Sequence, residues 1–174
     1  MTDLRYPVGK FEATNGLTKA QTHELIESIR ETPRRLKAAI EGLAPEQLDT
    51  QYRPEGWTVR QVVNHIADSH LNGYVRFKWA LTEDEPVVKT YDEKRWAELN
   101  DARNAEPEVS LQLLDALHLR LVKLLDSLKP EDFARRLTHP EWGFQPLEMY
   151  LQLYEWHGRH HTAHITELRQ RMDW

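Results

Sequence analysis

Residues 54–70 read PEGWTVRQVVNHIADSH. Pro54 and Gly56 break regular structure, Thr58 is a good N-cap, and Val59, Val62, Val63 and Ile66 then recur at helical spacing. The run is therefore a loop feeding a helix that continues through Tyr74, Phe77 and Leu81. On its N-terminal side, Ala44 to Trp57 is punctuated by prolines and reads as a connection with one short helical turn. Before that, an apolar line of Leu25, Ile26, Ile29, Leu36, Ala39, Ile40 and Leu43 predicts a helix over 19–41, which Pro33 should kink or divide.

The second half echoes the first. Leu43, Pro45, Glu46 and Leu48 recur as Leu128, Pro130, Glu131 and Phe133, and Pro54, Glu55 and Trp57 recur as Pro140, Glu141 and Trp142. A third long helix is expected over 110–128, with Leu114, Leu117, Leu121, Leu124, Leu125 and Leu128 inward. A loop follows over 129–145, and a last helix starts at Pro146 and runs to about Met172. Strand-like alternation is absent. Residues 83–107 lack clear periodicity, apart from a short helix expected over 91–99. This middle segment is long enough to cross the bundle, so helices two and three can run the same way. The fold class expected is all-α, one domain over residues 1–174, a four-helix bundle running up, down, down, up.

Composition narrows the function. The chain has 23 basic and 28 acidic residues, net −5, interspersed without a basic stripe, which argues against nucleic-acid binding. No apolar run approaches the ~20 residues of a membrane span, and residues 1–9 lack the basic-then-apolar order of a signal peptide. Cysteine is absent, which excludes disulfides, thiolate ligands and a cysteine nucleophile and fits a cytoplasmic setting.

Nine histidines stand out, four of them within residues 156–164. His157 with His161, and His160 with His164, are pairs at i, i+4, whose imidazoles can reach one ion. His161 lies on the apolar line through Leu151, Tyr154, Ile165 and Leu168, with His157 at its edge. His160 and His164 fall on a face ending in Glu167 and Arg171. The pair His157 and His161 is favoured. His65, beside Val62 and Ile66, is the best third ligand; His70 lies more toward the polar face, and Asp68, a turn from His65, is a candidate hydrogen-bond partner behind it. Spacing alone is compatible with metal binding and with hydrogen-bonded core histidines. There is no His-Glu-x-x-His, Gly-rich phosphate loop, serine elbow or di-iron array, so in an enzyme the metal would carry the chemistry.

The run 54–70, the last helix from Tyr150 to Leu168 with its Trp156-His157 and His160-His161-Thr162-Ala163-His164, Tyr91-Asp92-Glu93-Lys94 and Tyr6-Pro7-Val8-Gly9 together resemble the DinB/YfiT-like metalloenzyme family, and its YfiT subgroup in particular. The resemblance covers nearly the whole chain. It implies the up-down-down-up bundle and one divalent ion per chain, zinc or nickel, on His65, His157 and His161. It further implies a homodimer, which the surplus of aromatic residues also suggests. The activity implied is transfer of a low-molecular-weight thiol such as bacillithiol onto an electrophilic substrate, or metal-dependent hydrolysis. A non-catalytic metal-binding bundle is the reading from a different class.

Overall fold

The computed structural model describes residues 3–174; Met1 and Thr2, at the start of the N-terminal stretch read above, lie outside the described residues. Four long helices form the bundle: α1 (Lys19–Ile40), α3 (Val59–Thr82), α6 (Pro107–Leu125) and α7 (Leu147–Met172). Short helices α2 (Pro45–Leu48), α4 (Glu93–Trp96) and α5 (Asn100–Asn104) lie in the connections, and a 3₁₀ turn covers Pro130–Ala134.

The ends follow local chemistry. Thr18 and Thr58 each accept from the backbone N–H three residues on, while Gln21 and Gln61 reach back to the cap, so both α1 and α3 open on a capping box. Neighbouring helices reveal their directions through cross-contacts. Ser28 bonds Glu155 while Arg169 bonds the carbonyl of Ala39, so α1 and α7 are parallel. Asn64 meets Ser110 and His70 meets His118, so α3 and α6 are parallel. Tyr154 covers Gly73 and His157 faces His65, so α7 runs against α3. The order is up, down, down, up, as expected.

Two apolar clusters fill the interior. One holds Ile29, Phe77, Leu121, Leu147 and Tyr150, and the other holds Leu36, Val62, Ile66, Leu114 and Ile165. The buried histidines come from α3 (His65, His70), α6 (His118), the hairpin strand over 136–139 (His139) and α7 (His160, His161, His164). Two glycines permit the closest helix contacts. A Cβ on Gly73 would sit 2.3 Å from Tyr154 Cζ, and one on Gly158 would sit 2.8 Å from Thr32 Cγ2.

Several boundaries differ from expectation. α1 runs unbroken past Pro33, and α6 begins at Pro107 and ends at Leu125. Two short helices, not one, occupy the middle segment. The expected loop 129–145 contains an antiparallel hairpin, β1 (Arg136–His139) and β2 (Gly143–Pro146), and Pro146 caps α7 from outside instead of occupying its first turn. Four-residue strands are too short to produce a readable alternation. The first half carries a vestige of the same hairpin, a single bridge between Gln51 and Thr58.

Candidate metal centre

His65 on α3 and His157 and His161 on α7 converge at the floor of a cleft of about 970 Å³. One ring nitrogen of each lies within 4.8 Å of the others. His65 and His161 are buried, and His157 keeps some contact with the cleft. Trp57 packs over His65, ring centroids 4.6 Å apart, and lies 6.2 Å from His161. The three residues reasoned from spacing are thus brought together.

The Nε2 atoms of His65 and His157 are 3.2 Å apart. Ligand nitrogens at about 2.0–2.1 Å from a tetrahedral ion are separated by about 3.3 Å, so this pair is already near the edge of a coordination tetrahedron. Imidazole nitrogen is a suitable donor for zinc or nickel. The residues present fit such an ion.

Behind His157 runs a chain of hydrogen bonds that spacing did not predict. His118 Nδ1 lies 2.8 Å from the Ile29 carbonyl oxygen, His118 Nε2 lies 2.8 Å from His70 Nδ1, and His70 Nε2 lies 3.2 Å from His157 Nδ1. A carbonyl can only accept, so His118 carries its proton on Nδ1 and accepts at Nε2. His70 must then donate from Nδ1 and accept at Nε2, and His157 must donate from Nδ1. His157 is left with a lone pair at Nε2, aimed at the coordination point.

The origin of this order is a proline. An uninterrupted α-helix would direct the N–H of residue 33 to the carbonyl of residue 29, but Pro33 has no N–H to give. Ile29 therefore keeps a free carbonyl inside the bundle, and His118 uses it. The neighbouring Ser28 carbonyl is satisfied by Thr32 Oγ1 and by the Arg35 guanidinium. His70 is fully buried, not toward the polar face as expected. Asp68 does not support His65: it is half-buried, and desolvation with help from the nearby Asp101 pushes its pKa up to about 6.

His160 and His164 were expected on a solvated face and are buried, at 6% and 3% exposure. The N-terminal segment covers them. Gln152 bonds Thr14, Glu148 bonds Gly16 and Leu17, Trp156 bonds the Gly9 carbonyl, and His164 Nε2 lies 3.3 Å from the Arg5 carbonyl. His160 stacks on Trp156 and His164 on Tyr52. With His161 they form a second triple of nitrogens within 4.8 Å, all from one helix, and the Nδ1 atoms of all three are buried without a partner among the described residues.

Burial keeps these rings neutral. Desolvation is the largest cause throughout, pushing His65 and His118 down to about 4 and holding His70, His157 and His161 well below the ordinary value. A neutral imidazole is the form that can ligate.

The DinB superfamily domain matches residues 28–165. The chain belongs to this family. It is 51% identical, over all 174 residues and the full length of each relative, to proteins of Bacillus cereus (strain B4264) and Bacillus mycoides (strain KBAB4) that bear the name "Putative metal-dependent hydrolase". The solved structure of YfiT from Bacillus subtilis superposes with a TM-score of 0.97 at 48% identity, covering 99% of both chains; that protein is described as "a probable metal-dependent hydrolase with an unusual four-helix bundle topology". Family membership and the bundle agree with the expectation. No helix among the described residues is long and apolar enough to cross a membrane.

Proposed function

We propose that His65, His157 and His161 hold one divalent ion per chain, zinc or nickel, and that the protein transfers a low-molecular-weight thiol such as bacillithiol to an electrophilic carbon. The first triple is preferred over the second because its ligands come from two helices, its Nε2 pair is already at ligand spacing, and hydrogen bonds fix the tautomer of His157. When bound, the ion supplies Lewis acidity that lowers the pKa of a thiol beside it.

The observation that carries thiol transfer over hydrolysis is the charge environment of the three rings. After desolvation, other histidines act on them most strongly, and among the described residues no carboxylate hydrogen-bonds any of the three; Glu55, Glu93, Glu98 and Glu141 are part of the cleft lining without such a bond. A water nucleophile is best served by a nearby general base, whereas a thiol, far more acidic, needs none beyond the ion. In the transfer, the thiol loses its proton to solvent, sulfur bonds to the electrophilic carbon, and the leaving group departs with its electron pair. The chain has no cysteine, so the sulfur belongs to a cosubstrate. The neutral rings hold geometry and contribute no negative charge, and Trp57 shields one side from water.

Hydrolysis is the second reading, favoured by the name its relatives carry. The same proposal takes the chain as one cytoplasmic domain acting as a homodimer, supported by apolar Val109, Leu113 and Leu119 exposed on α6; light scattering at falling concentration tests the dimer, which a constant monomer mass would exclude. For the activity, the loaded and the metal-free protein are compared with bacillithiol, cysteine and glutathione plus an electrophile, and with ester, amide and phosphoester substrates. Metal-dependent thiol consumption supports transfer. Hydrolysis with no acceleration of thiol loss overturns it.

A further inference from the structure

Deep in the same cleft lies a cation without a counter-ion. Arg76 on α3 is only 7% exposed and makes a single hydrogen bond among the described residues, 3.4 Å from Nη1 to the Tyr154 hydroxyl. No carboxylate stands within ion-pair distance of it among the described residues. Burying an unpaired guanidinium is expensive, and arginine does not shed its proton to escape the cost. The other ion pairs of the chain join arginines to carboxylates that reach them, as Asp49 does the buried Arg60.

A second donor faces the same space. His139, 4% exposed, is placed by β1, whose alternation turns Leu137 and His139 inward. Its Nδ1 accepts from the Glu141 backbone N–H at 3.2 Å, so in the neutral ring Nε2 carries the proton. That N–H has no partner among the described residues, and both His139 and Arg76 line the cleft. Trp142 stacks on the ring at 4.0 Å and holds its plane. The imidazole pKa is lowered by desolvation first and then by the Arg76 charge, while the nearby Glu141 carboxylate acts in the opposite direction.

We propose that Arg76 and His139 form an anion-recognition subsite that takes a carboxylate of the substrate. The guanidinium fork matches a carboxylate, and one positive charge beside a neutral N–H suits a monoanion better than a phosphate dianion. Arg76 is eleven residues from His65, about 16 Å along the helix axis, and helical side chains lean toward the N-terminus, here toward His65. The ligand is therefore a small acid whose carboxylate and reacting atom are separated by no more than about 16 Å. This rests on the cleft being the substrate site of a metal-dependent enzyme, but the binding itself needs no ion.

The full chain, both metal-free and metal-loaded, is titrated with acetate, inorganic phosphate and chloride at constant ionic strength, following heat and the imidazole nitrogen resonances. Saturable acetate binding that shifts the His139 Nε2 signal in the metal-free protein is expected. R76Q should weaken it at least about tenfold, the scale of a lost charge-assisted hydrogen bond pair, with metal loading unchanged. Because R76Q alters a buried site, thermal melting is run beside it, and H139A, on the hairpin, provides an independent loss. An acetate response no greater than that of chloride, or binding in both variants equal to that of the wild type, overturns the subsite; phosphate binding without acetate binding overturns the carboxylate assignment. If the metal reading fails, the wild-type chain loads no ion while the acetate titration stands, so the two failures are distinguishable.

Discussion

His157 and His160 are three residues apart on α7, and their rings are held by different means. His157 has a line of hydrogen bonds behind it, through His70 and His118 to the Ile29 carbonyl. His160 has a cover: Trp156 stacked on one side and Tyr6 of the N-terminal segment at 6.0 Å. The triple containing His157 draws on two helices, whereas the triple containing His160 draws on one. Burial and mutual proximity do not separate the two. A support that fixes one tautomer does, because a ligand must present its lone pair at a set point, and a stacked ring fixes only its plane.

The comparison breaks most readily at the ligands. In H65A or H157A, ion affinity measured by competition with a chelator should fall more than about 100-fold, since two ligands do not hold a tetrahedral ion tightly. H160A and H164A should change it only a few-fold; the reverse order would move the centre to the second triple.

The support is the next target. H118F removes both hydrogen bonds of His118 and frees His70 to take either tautomer, so affinity should drop about 10- to 100-fold, as for other outer partners of a ligating histidine. P33A restores an N–H that competes for the Ile29 carbonyl. It should strengthen α1 while weakening ion binding by less than H118F does. Equal affinity in H118F and wild type would show that the chain behind His157 is only packing.

Acid tests both triples at once. Their rings are depressed from about 6.5, with His65 and His160 near 4 and His164 near 3. Above about pH 7.5 neither the folded nor the unfolded chain protonates them appreciably. As pH falls from 6.5 toward 4 the unfolded chain takes up the protons first, so folding stability is lost across that window, by about 1.4 kcal/mol per pH unit for each such histidine. Urea melts of metal-free protein at pH 8.5, 7.5 and 5.5 should show stability nearly constant over the first step and a fall over the second, less steep in an H160A/H164A double variant.

The smallest effect concerns the cover itself. Trp156→Phe keeps a ring over His160 and loses the bond to the Gly9 carbonyl. Loss of one such hydrogen bond is expected to cost about 1 kcal/mol of stability, with ion affinity unchanged, by the same melts and chelator competition.

Periodicity along the chain determined the four long helices, their proline-led turns and the choice of His65, His157 and His161, because 3.6-residue spacing reports which side chains share a face with apolar neighbours. His118 was legible in the same way, one turn from inward Leu114 and Leu121, and Pro33 lies four residues beyond the carbonyl it frees. What linked them was not legible. A hydrogen bond between α1 and α6 joins residues 89 apart in sequence, and no spacing on either helix encodes it. His160 and His164 were misplaced for the same reason: their burial comes from the N-terminal segment and from Tyr52 packing against α7, contacts between distant segments. The hairpin that carries His139 beside Arg76 was decided likewise, since its strands are too short to signal themselves and form only where α3, residues 86–88 and α7 hold them. Local periodicity names the face of each helix, and only tertiary packing decides what covers that face and which nitrogen is left with a lone pair.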